Sequence, residues 1–168
     1  MDLGLTGKRA LVLGASRGLG KAIAASLQAE GATVFAAARS LDKIEAWAAG
    51  MDKVHPLKLD LSDIGNVDDV VNKLLAEGGV DIIVNNSGGP PPGTTLAAER
   101  GAWISHFEAM AANLFHLTKG LLPPMQQRGW GRIISSRSPT LRCPTGSGRL
   151  LSAGRNRWPT RWRARGLP

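Results

Sequence analysis

The sequence predicts an α/β chain built on a doubly wound parallel sheet. Three observations carry this. Short apolar runs alternate with amphipathic helical segments as far as Ser135, and strands so interleaved with helices pair in parallel. The run Val80–Val84 is almost wholly apolar, as expected of a strand covered on both faces. A turn rich in glycine, Gly14 to Gly20, joins the first strand to the first helix, where backbone freedom and close approach matter more than side chains.

The elements follow in order. Lys8–Leu13 reads as the first strand, closed by Gly14. Gly18 to Glu30 reads as a helix with Leu19, Ile23 and Leu27 spaced four apart on its apolar face, and Gly31 stops it. Thr33–Ala38 is the second strand and Leu41–Ala49 the second helix. Val54–Leu59 is strand-like despite Pro56, and Val67–Ala76 is helical with a stripe of Val67, Val70, Val71, Leu74 and Leu75. After Val80–Val84 comes a Gly/Pro loop, Asn85–Gly93, stiffened by its prolines. Leu96 to Gln127 reads as a long helical stretch broken near Pro123–Pro124, and Gly131–Ser135 opens a fifth strand.

Composition sets outer bounds. The 168 residues suit one domain, with 43% hydrophobic and 20% charged residues. No apolar run approaches the roughly 18–20 residues of a membrane span, and no basic region precedes an apolar core at the N-terminus. A single cysteine, Cys143, excludes an internal disulfide framework and fits a reducing, cytoplasmic setting. The net charge of +8 is unevenly spread: residues 1–131 carry 12 Lys+Arg against 13 Asp+Glu, whereas residues 132–168 carry nine arginines and no acid. Residues 1–136 therefore read as one domain, and 137–168 as a basic, disordered Arg/Pro/Gly-rich tail. His55, His106 and His116 have no metal-ligand spacing, and Trp47, Trp103 and Trp130 read as packing residues.

The turn Gly14-Ala15-Ser16-Arg17-Gly18-Leu19-Gly20 has the chemistry of a phosphate cradle. Phosphates approach backbone N–H groups at a helix N-terminus, and side chains there would block them. A glycine triplet alone is weak, since glycines also close strands and open helices for structural reasons. Further motifs follow in order: LDLSD (59–63), NNSG (85–88), NLFHLTKG (113–120) and GRIISS (131–136). Together, over residues 5 to 136, these resemble the short-chain dehydrogenase/reductase family, including its 3-oxoacyl carrier-protein reductases. Leu13 and Ser87 depart from the family's usual Thr and Ala.

The resemblance implies a Rossmann-like fold and an oxidoreductase that moves hydride between a nicotinamide cofactor and a carbonyl or alcohol. It assigns cofactor binding to Gly14, Ser16, Arg17, Gly18, Leu19 and Gly20, to Asp60 and Leu61 at the adenine, and to Asn86 and Gly88 in the next loop. Asn85 would steady the sheet, and Asn113 would support a proton-relay water. Asp60 has a second reading as a helix cap, and Asn113 as a partner for a backbone group. Arg39 stands where an NAD enzyme carries an acid. A guanidinium there suits a 2′-phosphate, so NADP(H) is expected before NAD(H); Arg39 has a second reading as a solvated loop residue.

The resemblance also implies a tyrosine acting as general acid/base and a lysine four residues later. The chain has no tyrosine and no lysine after Lys119. The catalytic serine falls at Ser138 counting from GRII, or at Ser136 matching the double serine. A family domain of about 250 residues would continue past this sheet, leaving it incomplete at its C-terminal edge with an unprotected fifth strand. Catalysis is accordingly expected to be lost or severely impaired. Three readings of the tail stay open. It is an out-of-frame or truncated end, a basic arm that binds nucleic acid non-specifically, or a divergent end in which Ser152 and Arg155 replace the missing pair. A non-catalytic dinucleotide-binding protein is the rival function. The expected partners are a small carbonyl or alcohol and a second copy of the chain, with no membrane.

Overall fold

The computed structural model describes residues 3–87 and 99–136, all within the compact unit Met1–Ser138. Five strands, β1 (Arg9–Leu13), β2 (Thr33–Ala38), β3 (Val54–Lys58), β4 (Ile82–Asn85) and β5 (Arg132–Ser135), form one sheet in the order β3-β2-β1-β4-β5. Every pairing is parallel, with Leu13 opposite Ala37, Val12 opposite Val84, and Asn85 opposite Ser135. This is the doubly wound sheet expected. Pro56 is harmless because β3 is an edge strand, where a missing N–H costs least.

The helices are α1 (Gly18–Ala29), α2 (Leu41–Ala48), α3 (Ile64–Ala76), α4 (Arg100–Phe107) and α5 (Asn113–Gln127). The side-chain alternation of β1 splits the core in two. Leu11 and Leu13 face Val67, Val70 and Leu74 of α3 and Leu117, Leu121 and Met125 of α5. Ala10 and Val12 face the other way, toward Ala24, Ile44 and Ala48 of α1 and α2. Small residues dominate this second layer, so α1 and its preceding turn approach the sheet closely.

Several expectations are corrected. Leu19 does not lie on the buried face of α1; it is 59% exposed, while Gly20 and Ala24 are buried and Ile23 and Leu27 partly so. The fourth strand begins at Ile82 rather than Val80. Asp81 is buried ahead of it: its carboxylate accepts from the Arg9 amide at 2.9 Å and meets Arg128 Nη2 at 3.0 Å, a ledge beneath the strand. Asp63, not Asp60, caps α3, accepting from the Asn66 amide, so the helix starts three residues before Val67.

The helical stretch is not broken at Pro123–Pro124, which lie inside α5. Leu117, Leu121 and Met125, four apart and all buried, hold that helix on the core across the prolines. The irregularity lies instead in a π turn, Glu108–Ala112, between α4 and α5. The expected start at Leu96 falls outside the described residues. Trp47 and Trp130 are partly buried as expected, whereas Trp103 is 49% exposed.

Candidate functional site

In a sheet of this order, the chain leaves β1 and β4 in opposite directions, and a crevice opens beyond their C-terminal ends. The glycine turn and Asn86 meet there. Each of the three glycines has its own reason. Gly14 has φ +64°, and a Cβ on it would strike the Asn86 backbone carbonyl. Gly18 has φ +56° with open space around it, so only its conformation demands glycine. Gly20 is ordinary in conformation, but a Cβ would strike the Gly14 carbonyl and come within 2.9 Å of Asn86 Nδ2.

Asn86 ties this corner together. Its Nδ2 donates to the Leu13 carbonyl at 3.3 Å, and the Ser136 hydroxyl donates to its Oδ1 at 2.8 Å. One amide thus bridges the ends of β1 and β5. Asn85 is buried and donates to Thr118 Oγ1 at 3.5 Å; its Oδ1 has no partner among the described residues.

The Ala15 peptide groups are also fixed. The Ala15 amide donates to the Ala37 carbonyl of β2 at 3.1 Å, and the Trp47 indole donates to the Ala15 carbonyl at 3.1 Å. Beyond them α1 begins with no side-chain cap and no acidic residue in its first turn. Its opening N–H groups therefore carry the positive end of the helix dipole unneutralised. Ser16 is partly exposed, and Arg17 and Leu19 are exposed beside these donors.

Arg39 follows β2 directly and is exposed. Asp60 follows β3, one residue past Leu59. Its Oδ1 accepts from the Ser62 hydroxyl at 2.6 Å and the Ser62 amide at 3.0 Å. These bonds hold the carboxyl below its ordinary value; the charges of Arg39 and Lys58 act the same way, and partial burial opposes them. Asn113 is buried, and its Nδ2 donates to the Leu61 carbonyl at 2.8 Å, joining the start of α5 to the turn after β3. The structure therefore shows Asn113 serving a backbone group. Gly88 and Ser138 lie outside the described residues.

The glycine turn, Asn86 and Ser136 come together beyond the C-terminal ends of β1, β4 and β5, and Arg39 and Asp60 follow β2 and β3. The sequence identifies Trp47 only as a packing residue. A tryptophan near the end of an amphipathic helix carries one N–H that has to find an acceptor when buried, and that was the available signal. Asn66 was missed too: its side chain accepts from the Asp60 amide at 2.8 Å.

The short chain dehydrogenase family model matches residues 8–149. The chain belongs to the short-chain dehydrogenase family. It is 39% identical over 133 residues to nodulation protein G of a Rhizobium species, covering 78% of this chain and 54% of that protein. It is 36% identical over 131 residues to a 3-oxoacyl-(acyl-carrier-protein) reductase of Escherichia coli, covering 77% and 54%. The chain thus spans about half the length of these short-chain dehydrogenase relatives. Among solved structures, L-sorbose reductase from Gluconobacter frateurii, complexed with NADPH and L-sorbose, aligns with a TM-score of 0.74 and 34% identity over 80% of this chain and 54% of that one. A metagenomic short-chain oxidoreductase in complex with NADP aligns with a TM-score of 0.70 and 32% identity over 78% and 61%. No helix among the described residues is long and apolar enough to cross a membrane.

Proposed function

We propose that this domain binds NADP(H) through the phosphate-facing turn Gly14–Gly20, as the noncatalytic part of a short-chain oxidoreductase site. The observation that carries the reading is the turn itself. Cβ atoms at Gly14 and Gly20 would collide with the Asn86 and Gly14 carbonyls, so only glycines let the turn fold this tightly, and α1 begins there uncapped, with no acid in its first turn. The residues present fit the phosphate and adenosine portions of the cofactor. Arg39 and Arg17 offer exposed guanidinium groups to a 2′-phosphate, and no carboxylate stands at the position after β2. Asp60 keeps its Oδ2 free of any hydrogen bond among the described residues, available to the adenine amino group. Leu19 presents an exposed apolar side chain, and Asn86 stands against Gly14 and Gly20 of the turn.

When bound, the nicotinamide ring would supply the hydride donor or acceptor for a small carbonyl or alcohol. The 168 residues hold no phenol to exchange the accompanying proton and no lysine beyond Lys119 to hold the ribose. The Ser136 hydroxyl is engaged at the sheet edge, within reach of Asn86 Oδ1 at 2.8 Å and the Asn85 carbonyl at 3.3 Å. In this reading the chain binds cofactor, with catalysis lost or severely impaired.

The test is calorimetric titration of the full chain with NADPH and NADH, repeated on Arg39→Glu. Wild type binds NADPH more tightly. The substitution weakens NADPH by at least about tenfold, the worth of one charge-assisted hydrogen bond, and leaves NADH within about twofold. Binding of neither cofactor to wild type overturns the reading. Equal weakening of both overturns the role of Arg39.

A further inference from the structure

We infer that Trp47 is a positioning residue for the phosphate-facing turn, aiming the Ser16 N–H into it. The inference rests on the cofactor reading above. It starts from the peptide unit between Ala15 and Ser16. Ala15 is fully buried, and its own amide is spent on the Ala37 carbonyl of β2. Its carbonyl accepts from Trp47 Nε1 at 3.1 Å. A trans peptide is planar, with C=O and N–H pointing in opposite directions, and the described chain has no cis bond. Holding the carbonyl toward α2 therefore turns the Ser16 N–H away from α2. That N–H has no hydrogen-bond partner among the described residues, which leaves it for an anion.

The indole itself is well placed to hold a direction. Trp47 sits on α2 between Ile44 and Ala48, both buried, and packs against the layer formed by Ala10, Val12 and Ala36. The Lys21 ammonium of α1 lies 5.8 Å from its ring centroid. Strand β2 and helix α2 thus grip the two polar groups of Ala15 from separate elements. Without the indole N–H, the buried carbonyl would lose its partner, and the 15–16 peptide plane could rotate to seek another.

Two substitutions separate donor from packing. Trp47→Phe keeps a large aromatic ring but has no donor. Trp47→His loses the six-membered ring, yet imidazole Nε2 lies two bonds from Cγ, as indole Nε1 does, and can donate in the same direction. At pH 8, where imidazole is neutral, NADP+ affinity is measured by calorimetry and thermal stability by circular dichroism. The expected result is a crossed pattern. Trp47→Phe weakens NADP+ about fivefold, the worth of one net hydrogen bond, with the smaller loss of melting temperature. Trp47→His binds within about twofold of wild type despite the larger loss. Affinity that follows stability rather than the donor overturns the inference, as does unchanged binding by Trp47→Phe. A second measurement keeps it testable if Trp47→Phe does not fold. The Trp47 indole N–H resonance, assigned by its absence in Trp47→His, shifts on adding NADP+ while that of Trp130 does not; no shift overturns the inference. Failure of wild type to bind NADP+ at all brings down the cofactor reading, whereas binding without dependence on the donor brings down only the role of Trp47.

Discussion

Gly14→Ala and Gly18→Ala make a matched pair, because both glycines have positive φ and only one is crowded. At Gly18, with φ +56° and nothing within 4 Å of a new Cβ, the cost is conformational. A left-handed L residue costs about 1–2 kcal/mol. At Gly14, with φ +64°, the same cost applies, and the new Cβ also meets the Asn86 carbonyl. That carbonyl cannot retreat freely: it follows β4 directly, and the Asn86 side chain is bonded to Leu13 and to Ser136. Overpacking a fixed neighbour adds about 1–3 kcal/mol. Gly14→Ala should therefore destabilise by about 2–5 kcal/mol, a large share of the roughly 5–15 kcal/mol available to a domain. Urea unfolding followed by far-ultraviolet circular dichroism reads both variants against wild type. At about 1–3 kcal/mol per molar urea, the two midpoints should separate by on the order of 1 M. Equal midpoints would refute the claim that close approach of β1 and β4, beyond backbone conformation, requires the first glycine.

Two further predictions concern stability. Asp60 has its carboxyl held low by Ser62, with Arg39 and Lys58 adding to the effect. A depressed folded value means stability that is present above the unfolded value and lost as pH falls through the folded one. Asp60→Asn should then lower the melting temperature at pH 7, with the gap to wild type narrowing below about pH 4; a gap independent of pH excludes the ionised carboxylate as its source. Leu121→Ala empties a fully buried site between α5 and the sheet and should cost about 2–5 kcal/mol in chemical unfolding, whereas an effect below 1 kcal/mol would mean that α5 is not held by its buried stripe.

The parts of the fold legible in the sequence were those set by local pattern. Thr33–Ala38 reads as a strand because it is an unbroken small-and-branched apolar run, and it folds as one. The glycine turn was legible because φ and close approach leave no other residue a place. What escaped was set by neighbours in space. Asp81 looks like the middle of an apolar strand, but Arg9 and Arg128, 72 and 47 positions away, make it a ledge below the strand. The prolines of α5 look like a break, yet three core residues on the same face outweigh the lost N–H groups. Leu19 looks like core because its spacing to Ile23 and Leu27 is helical, but the tight seat of Gly20 on Gly14 turns it outward. The three-glycine pattern located the candidate site. A buried indole N–H signals that an acceptor exists, but its identity is not legible because the bond joins residues 32 apart.

The π turn between α4 and α5 has a consequence for motion. On its C-terminal side α5 buries Asn113, Leu117, Leu121 and Met125; on its N-terminal side α4 buries none of its residues. Protection against opening scales with buried contact, so the two helices belong to different classes of fluctuation. α5 opens only when the core opens, at nearly the full free energy of unfolding. α4 can fray at a small fraction of that cost, with the wide turn at Glu108–Ala112 as the stop where fraying ends. What looks along the chain like one long helix is thus a slow segment and a fast one joined in series, with Asn113, bonded to Leu61, as the first residue of the slow side.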